Sequence, residues 1–119
     1  IEAEVVHVDR FGNLVTNVPF LWLAEARADW RARWSCRAAG RTLPLVRTYG
    51  EVRAGTAIAL SNAYDRMELA VSGGSAEKEL GLGRGARVRF VPAGARPAAL
   101  RRSKPAPVTR NKKPKKKQR

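Results

Sequence analysis

The residues best suited to chemistry fall together in V-V-H-V-D-R-F-G-N-L-V-T-N, positions 5–17. Asp9 offers carboxylate acceptors, Asn13 an amide that both donates and accepts, and Phe11 an aromatic face between them. Hydrogen-bonding edges beside a flat ring suit a planar, polar ligand. Asp, Gly and Asn are also the commonest turn residues, so an ordinary hairpin turn accounts for the same composition. Other chemistry is sparse. The single His7 and single Cys36 leave no ligand cluster for a transition metal and no internal disulfide. No metal site is expected, and His7, inside an alternating strand, reads as an ordinary imidazole.

The elements that must position these residues are short and β-rich. Residues 1–8 alternate weakly and form a half-buried strand, and Leu14 to Asn17 forms the next; Gly12 and Asn13 between them tolerate left-handed backbone. The segment 18–29, V-P-F-L-W-L-A-E-A-R-A-D, has helical spacing of Phe20, Leu23 and Ala24 with Pro19 in the first turn, which predicts a short helix. Residues 31–38 alternate strictly. Arg31, Arg33, Ser35 and Arg37 form a solvated face, and Ala32, Trp34, Cys36 and Ala38 the buried one. An Ala39-Gly40 turn returns the chain into a strand at 42–47. After the loop T-Y-G-E-V-R-A-G-T come strands at 57–61 and 67–71, a helical turn capped by Ser75, and a last strand at 86–91 closed by Pro92. Seven short strands with one or two short helices predict an all-β fold, a small seven-stranded antiparallel β-barrel-like domain.

Charge divides the chain in two. Its net charge is +14, yet eleven Lys and Arg and no acid fall in 96–119, leaving thirteen basic against ten acidic residues in 1–95. The expected organisation is a folded domain over 1–95 and a Lys/Pro-rich tail over 96–119 that buries too little apolar surface to offset its ordering entropy. Ile1 in place of an initiator methionine suggests a piece of a longer protein. No apolar run is long enough to span a membrane, so the cytoplasm is the expected location.

Several separated blocks resemble one family. D-R-F-G-N-L-V-T-N is similar to a signature of the C-terminal domain of the S-adenosylmethionine (SAM) hydroxide adenosyltransferases, or SAM hydrolases, which are grouped with the 5'-halogenating chlorinases and fluorinases. T-Y-G-E-V-R-A-G at 48–55 resembles the family's T-Y-x-D/E-V-x-x-G, and A-L-S-N-A-Y-D-R-M-E-L-A-V at 59–71 its A-L-x-N-S-x-G-x-L-E-I-A-V. A looser match, G-S-A-E-K-E-L-G-L-G-R-G, follows at 74–85. Ala63 stands where the family has serine, and Asp65 where it has glycine.

The resemblance implies a seven-stranded barrel-like unit that holds SAM against the N-terminal domain of a neighbouring subunit in a homotrimer. By position, Asn13 would bond the adenine edge, Tyr49 stack on the purine, Phe11 shape the wall and Asp9 meet the α-ammonium of the methionine portion. Backbone groups of Val71 to Gly73 would complete the adenine edge, and Asn62 belongs to the same pattern. Ala63 lacks the hydroxyl that would hold the methionine carboxylate. SAM would be the substrate, with no separate cofactor and no catalytic residue in this chain. The implied reaction is displacement at C5' of the ribose by water or hydroxide, giving adenosine and L-methionine, with the water-activating groups in the N-terminal domain.

Two other readings accompany this one. A small barrel with a basic tail suits single-stranded nucleic acid, although Phe11, Tyr49 and Tyr64 are expected in separate corners rather than in one basic-aromatic stripe. The third is a structural oligomerisation module.

Overall fold

A computed structural model of the chain describes residues 1–25 and 27–93. The expected tail over 96–119 lies outside the described residues. Seven strands form one antiparallel sheet: β1 (Glu2–Val8), β2 (Leu14–Pro19), β3 (Trp34–Ala38), β4 (Arg41–Pro44), β5 (Ala57–Ser61), β6 (Arg66–Val71) and β7 (Arg87–Pro92), in the order β4-β3-β7-β1-β2-β6-β5. The sheet curls until its edges meet. Just beyond β4, Leu45 bridges Ala59 of β5, and the Val46 N–H donates to the Ala59 carbonyl at 2.9 Å. The fold is therefore the nearly closed, barrel-like all-β domain expected.

β1 holds the two halves together by changing partners. Glu2 to Glu4 pair with β7, whereas Val5 to Val8 pair with β2, with a register shift between Val5 and His7. An extra residue of this kind bends a strand and sharpens its twist, which a small barrel needs. Alternation sends Ala3, Val5, Leu14, Val18, Met67, Leu69, Val88 and Phe90 inward, all buried. Thr16 is the polar member of this interior. Its hydroxyl donates to the Met67 carbonyl at 2.7 Å and accepts from the Val18 N–H at 3.2 Å, so it is satisfied where β2 departs from regular pairing with β6.

The helix expected over 18–29 is shorter than its spacing suggested. Val18 and Pro19 stay in β2, and α1 spans only Leu21–Ala24 before Glu25 turns left-handed at φ 49°. Burial of Val18 in the barrel decides this. Leu23 and Trp30 cap one end of the core, with Trp34 Nε1 donating to the Leu23 carbonyl at 3.1 Å. The strand expected at 31–38 begins at Trp34, because Trp30–Arg33 forms a 3-10 turn with the Arg31 guanidinium 4.4 Å from the Trp30 ring. Ser35, expected on the solvated face, is 3% exposed, in mid-sheet with Pro44 of β4 and Val91 of β7 as its register partners.

Cys36 is fully buried on β3, and that burial raises its thiol pKa to about 12. A thiol so rarely ionised is a poor nucleophile. The folded chain is expected to resist iodoacetamide at mildly alkaline pH and to be alkylated promptly in denaturant. Fast labelling of the folded chain, read by mass spectrometry, would contradict this packing.

Candidate functional site

The β1–β2 corner is built by Asp9. Its Oδ1 accepts from the backbone N–H of Phe11 at 2.9 Å and of Asn13 at 3.0 Å, and its Oδ2 from Asn13 Nδ2 at 3.0 Å. Backbone bonds from Gly12 N to Asp9 O and from Asp9 N to Asn13 O close the turn. Burial pushes the Asp9 carboxyl up, but the Asn13 and Phe11 donors, with the nearby His7, outweigh it and hold Asp9 below its ordinary range. A carboxylate offers about four acceptor positions, and three are taken here. Phe11 is left 64% exposed, with Arg10 over its ring at 5.0 Å.

The corner is fastened to a second element. α2 (Ala76–Leu80) is capped by Ser75, whose Oγ accepts from Lys78 N, and the Glu77 N–H donates to the Gly12 carbonyl at 2.9 Å. Gly12 sits at φ +85°, and a Cβ there would lie 2.0 Å from Ser75 Oγ. Glycine is required twice over, for its backbone and for its missing side chain.

Tyr49 arrives from the loop between β4 and β5. Thr48 and Glu51 form a capping box around the 3-10 turn Tyr49–Glu51, and Glu51 Oε2 also accepts from the Arg47 N–H at 2.9 Å. Val46 and Val52 pin the loop to Ile58, Leu60 and Ala70 on the outer face of β5 and β6, a second small core. Tyr49 is thereby fixed at 41% exposure. Its phenol is held above the ordinary value, first by burial and then by the charges of Glu68 and Asp9, with Asn13 opposing the rise.

Asp9, Phe11, Asn13, Tyr49, Val71, Gly73 and Gly74 line one open-mouthed cavity of about 640 Å³. That volume lies within the usual range for small-molecule sites. Phe11 and Tyr49, expected in separate corners, share this cavity, while Tyr64 stands 83% exposed in the β5–β6 turn and takes no part in its lining. Asn62 is not brought to the lining either. Its Oδ1 accepts from Tyr64 N and Arg66 N, and its Nδ2 donates to Glu68 Oε1, so it shapes the turn. Asp65 in that turn has φ +64°, which accounts for a backbone position where glycine serves equally well. Among the described residues no group of three His, Cys, Asp or Glu is placed to hold a metal ion.

Glu68 is the neighbour that sequence reasoning missed. Alternation in M-E-L-A-V turns it away from Met67 and Leu69, and nothing local reveals that the 45–56 loop covers that face. It is 8% exposed. Burial raises its carboxyl, the Asn62 amide lowers it, and the Asp9 charge raises it again, for a net increase. A carboxyl raised by folding binds more protons in the folded state, so stability falls as pH rises from its unfolded toward its folded value. Glu68→Gln keeps the Oε1 acceptor for Asn62. It is expected to raise the melting temperature at neutral pH and to leave it unchanged well below the carboxylate range. An equal gain at both pH values would assign the effect to packing rather than charge.

Comparison with known proteins agrees with this fold. Residues 3–89 match the family model described as the SAM hydroxide adenosyltransferase C-terminal domain. An (R)-S-adenosyl-L-methionine hydrolase of Thermus thermophilus is 37% identical over 90 residues, which are 76% of this chain and 32% of that protein. Among solved structures, an uncharacterized conserved protein from Thermotoga maritima aligns with a TM-score of 0.65 and 25% identity over 75% of this chain and 35% of its own. A conserved hypothetical protein from Thermus thermophilus aligns with a TM-score of 0.60 and 33% identity over 76% of this chain and 34% of its own. The chain spans about a third of the length of each relative. With the fold and the match over 3–89 in agreement, the chain belongs to the SAM hydroxide adenosyltransferase C-terminal domain family.

Proposed function

We propose that this chain holds the adenosine portion of SAM in an enzyme that cleaves it with water or hydroxide at C5' of the ribose, releasing adenosine and L-methionine. The observation that carries the reading is the convergence of Asn13, Tyr49, Phe11 and the Val71–Gly74 turn on one cavity of adenosine-compatible size, in a chain of this family. Tyr49 offers a ring face for the purine, Asn13 an amide for its edge, and the glycine turn a backbone approach without side-chain obstruction. The one acceptor position left on Asp9 Oδ2 serves the α-ammonium of the methionine portion. Ala63 offers no hydroxyl to the carboxylate, so that end of the substrate depends on other groups.

The water-activating groups belong in this reading to the N-terminal domain, supplied by a neighbouring subunit of a cytoplasmic homotrimer. The barrel contributes binding and orientation, the entropic share of catalysis. A nucleic-acid reading fits the cavity poorly, since its lining holds the acidic Asp9 and no Lys or Arg.

Calorimetry tests the proposal. The chain alone is expected to bind adenosine weakly, and SAM much more tightly once joined to the N-terminal domain in the trimer. Equal affinities would overturn the shared interface. Absence of saturable adenosine binding in both forms would overturn the function.

A further inference from the structure

Asn13 presents its two ends unequally. Its Nδ2 faces Asp9 Oδ2 at 3.0 Å, and an ionised carboxylate has no hydrogen to give, so the atom against it must be the amide nitrogen. Among the described residues no donor reaches Asn13 Oδ1, nor is that oxygen among the buried atoms left without a partner. It is thus an accessible acceptor on a residue that lines the cavity. Asp9 itself is held by two backbone N–H groups of the same corner, so it cannot rotate away without losing the turn.

We propose that Asp9 is a positioning residue that sets purine selectivity: by holding the amide nitrogen of Asn13 it turns Asn13 Oδ1 to the ligand, and the site takes a 6-amino purine over a 6-oxo purine. This rests on the reading of the cavity as an adenosine site and adds the group that chooses the base. An oxygen facing the cavity accepts from an exocyclic amine, whereas a 6-oxo group would set two acceptors against each other. Asparagine bonding to adenine in nucleic-acid recognition follows the same donor and acceptor logic.

Asp9→Asn provides the test because it reverses the lock with little change of shape. The oxygen of the introduced amide still accepts from the Phe11 and Asn13 N–H groups, so the turn is kept, while its nitrogen replaces the oxygen that faced Asn13. Two NH₂ groups cannot face each other, so Asn13 flips and sends its own nitrogen to the cavity. Adenosine and inosine binding to the full chain would be measured by NMR titration, which reads weak affinities. The wild-type chain is expected to favour adenosine by about tenfold, and Asp9→Asn to abolish or invert that ratio. A loss confined to stability would lower both affinities together and leave the ratio unchanged.

Equal wild-type binding of the two nucleosides, or an unchanged ratio in Asp9→Asn, would overturn the proposal while the adenosine reading stands. Wild-type binding of neither, in the chain alone and again when it is joined to the N-terminal domain, would overturn both. A second measurement needs no variant: the Asn13 side-chain NH₂ resonances should shift as Asp9 titrates. If they do not, the lock is absent and the proposal fails even where Asp9→Asn does not fold.

Discussion

Gly12→Ala is expected to destabilise the domain by roughly 2–5 kcal/mol. Left-handed backbone costs a residue with a Cβ about 1–2 kcal/mol, and forcing an atom into a filled site costs about 1–3 more. The obstruction is not a mobile tip. Besides Ser75 Oγ at 2.0 Å, the new Cβ would meet Ser75 Cβ at 2.8 Å and Ser75 Cα at 3.2 Å. Moving Ser75 would also break its cap on Lys78 N and the Glu77 N–H bond to the Gly12 carbonyl. At about 4–8 °C per kcal/mol for a domain of this size, thermal unfolding should show a drop of roughly ten degrees or more. Ser75→Gly should recover part of it by making room. A melting temperature close to wild type would mean that the corner and α2 do not meet as described.

Tyr49→Ala should act on binding instead. Removing a stacked aromatic ring typically costs about 1–3 kcal/mol per base, so adenosine affinity is expected to fall by roughly 5- to 150-fold. Tyr49→Phe keeps the ring and should stay close to wild type. Stability should hardly change in either variant, because Tyr49 is 41% exposed and its loop is anchored by Val46, Val52 and the Thr48–Glu51 box. Isothermal titration with adenosine, paired with thermal melts, separates the two effects. Unchanged binding in a folded Tyr49→Ala chain would remove Tyr49 from the site and with it the main apolar contact proposed for the purine.

Local pattern determined much of this protein. Alternation located most of the strands, and the Asp9–Asn13 corner was legible because Gly and Asn between two β-rich runs leave few other conformations. Residue types alone pointed to Asp9, Phe11 and Asn13; the family resemblance added Tyr49, Val71 and Gly73, which also line the cavity, and Asn62, which does not, and it left out Gly74. Tertiary structure decided what those blocks do together. Periodicity says which way a side chain points, but not what covers that face: Ser35 reads as solvated yet is buried, and Glu68 reads as an ordinary strand position until the 45–56 loop packs over its face. The helix expected over 18–29 shrank to Leu21–Ala24 because burying Val18 in the barrel outweighed local propensity. Phe11 and Tyr49, 38 positions apart, share a cavity only because the sheet closes through Leu45 and Ala59 and carries the Tyr49 loop back across β6. Proximity of residues so distant in the chain is set by barrel closure, and no window of sequence contains it.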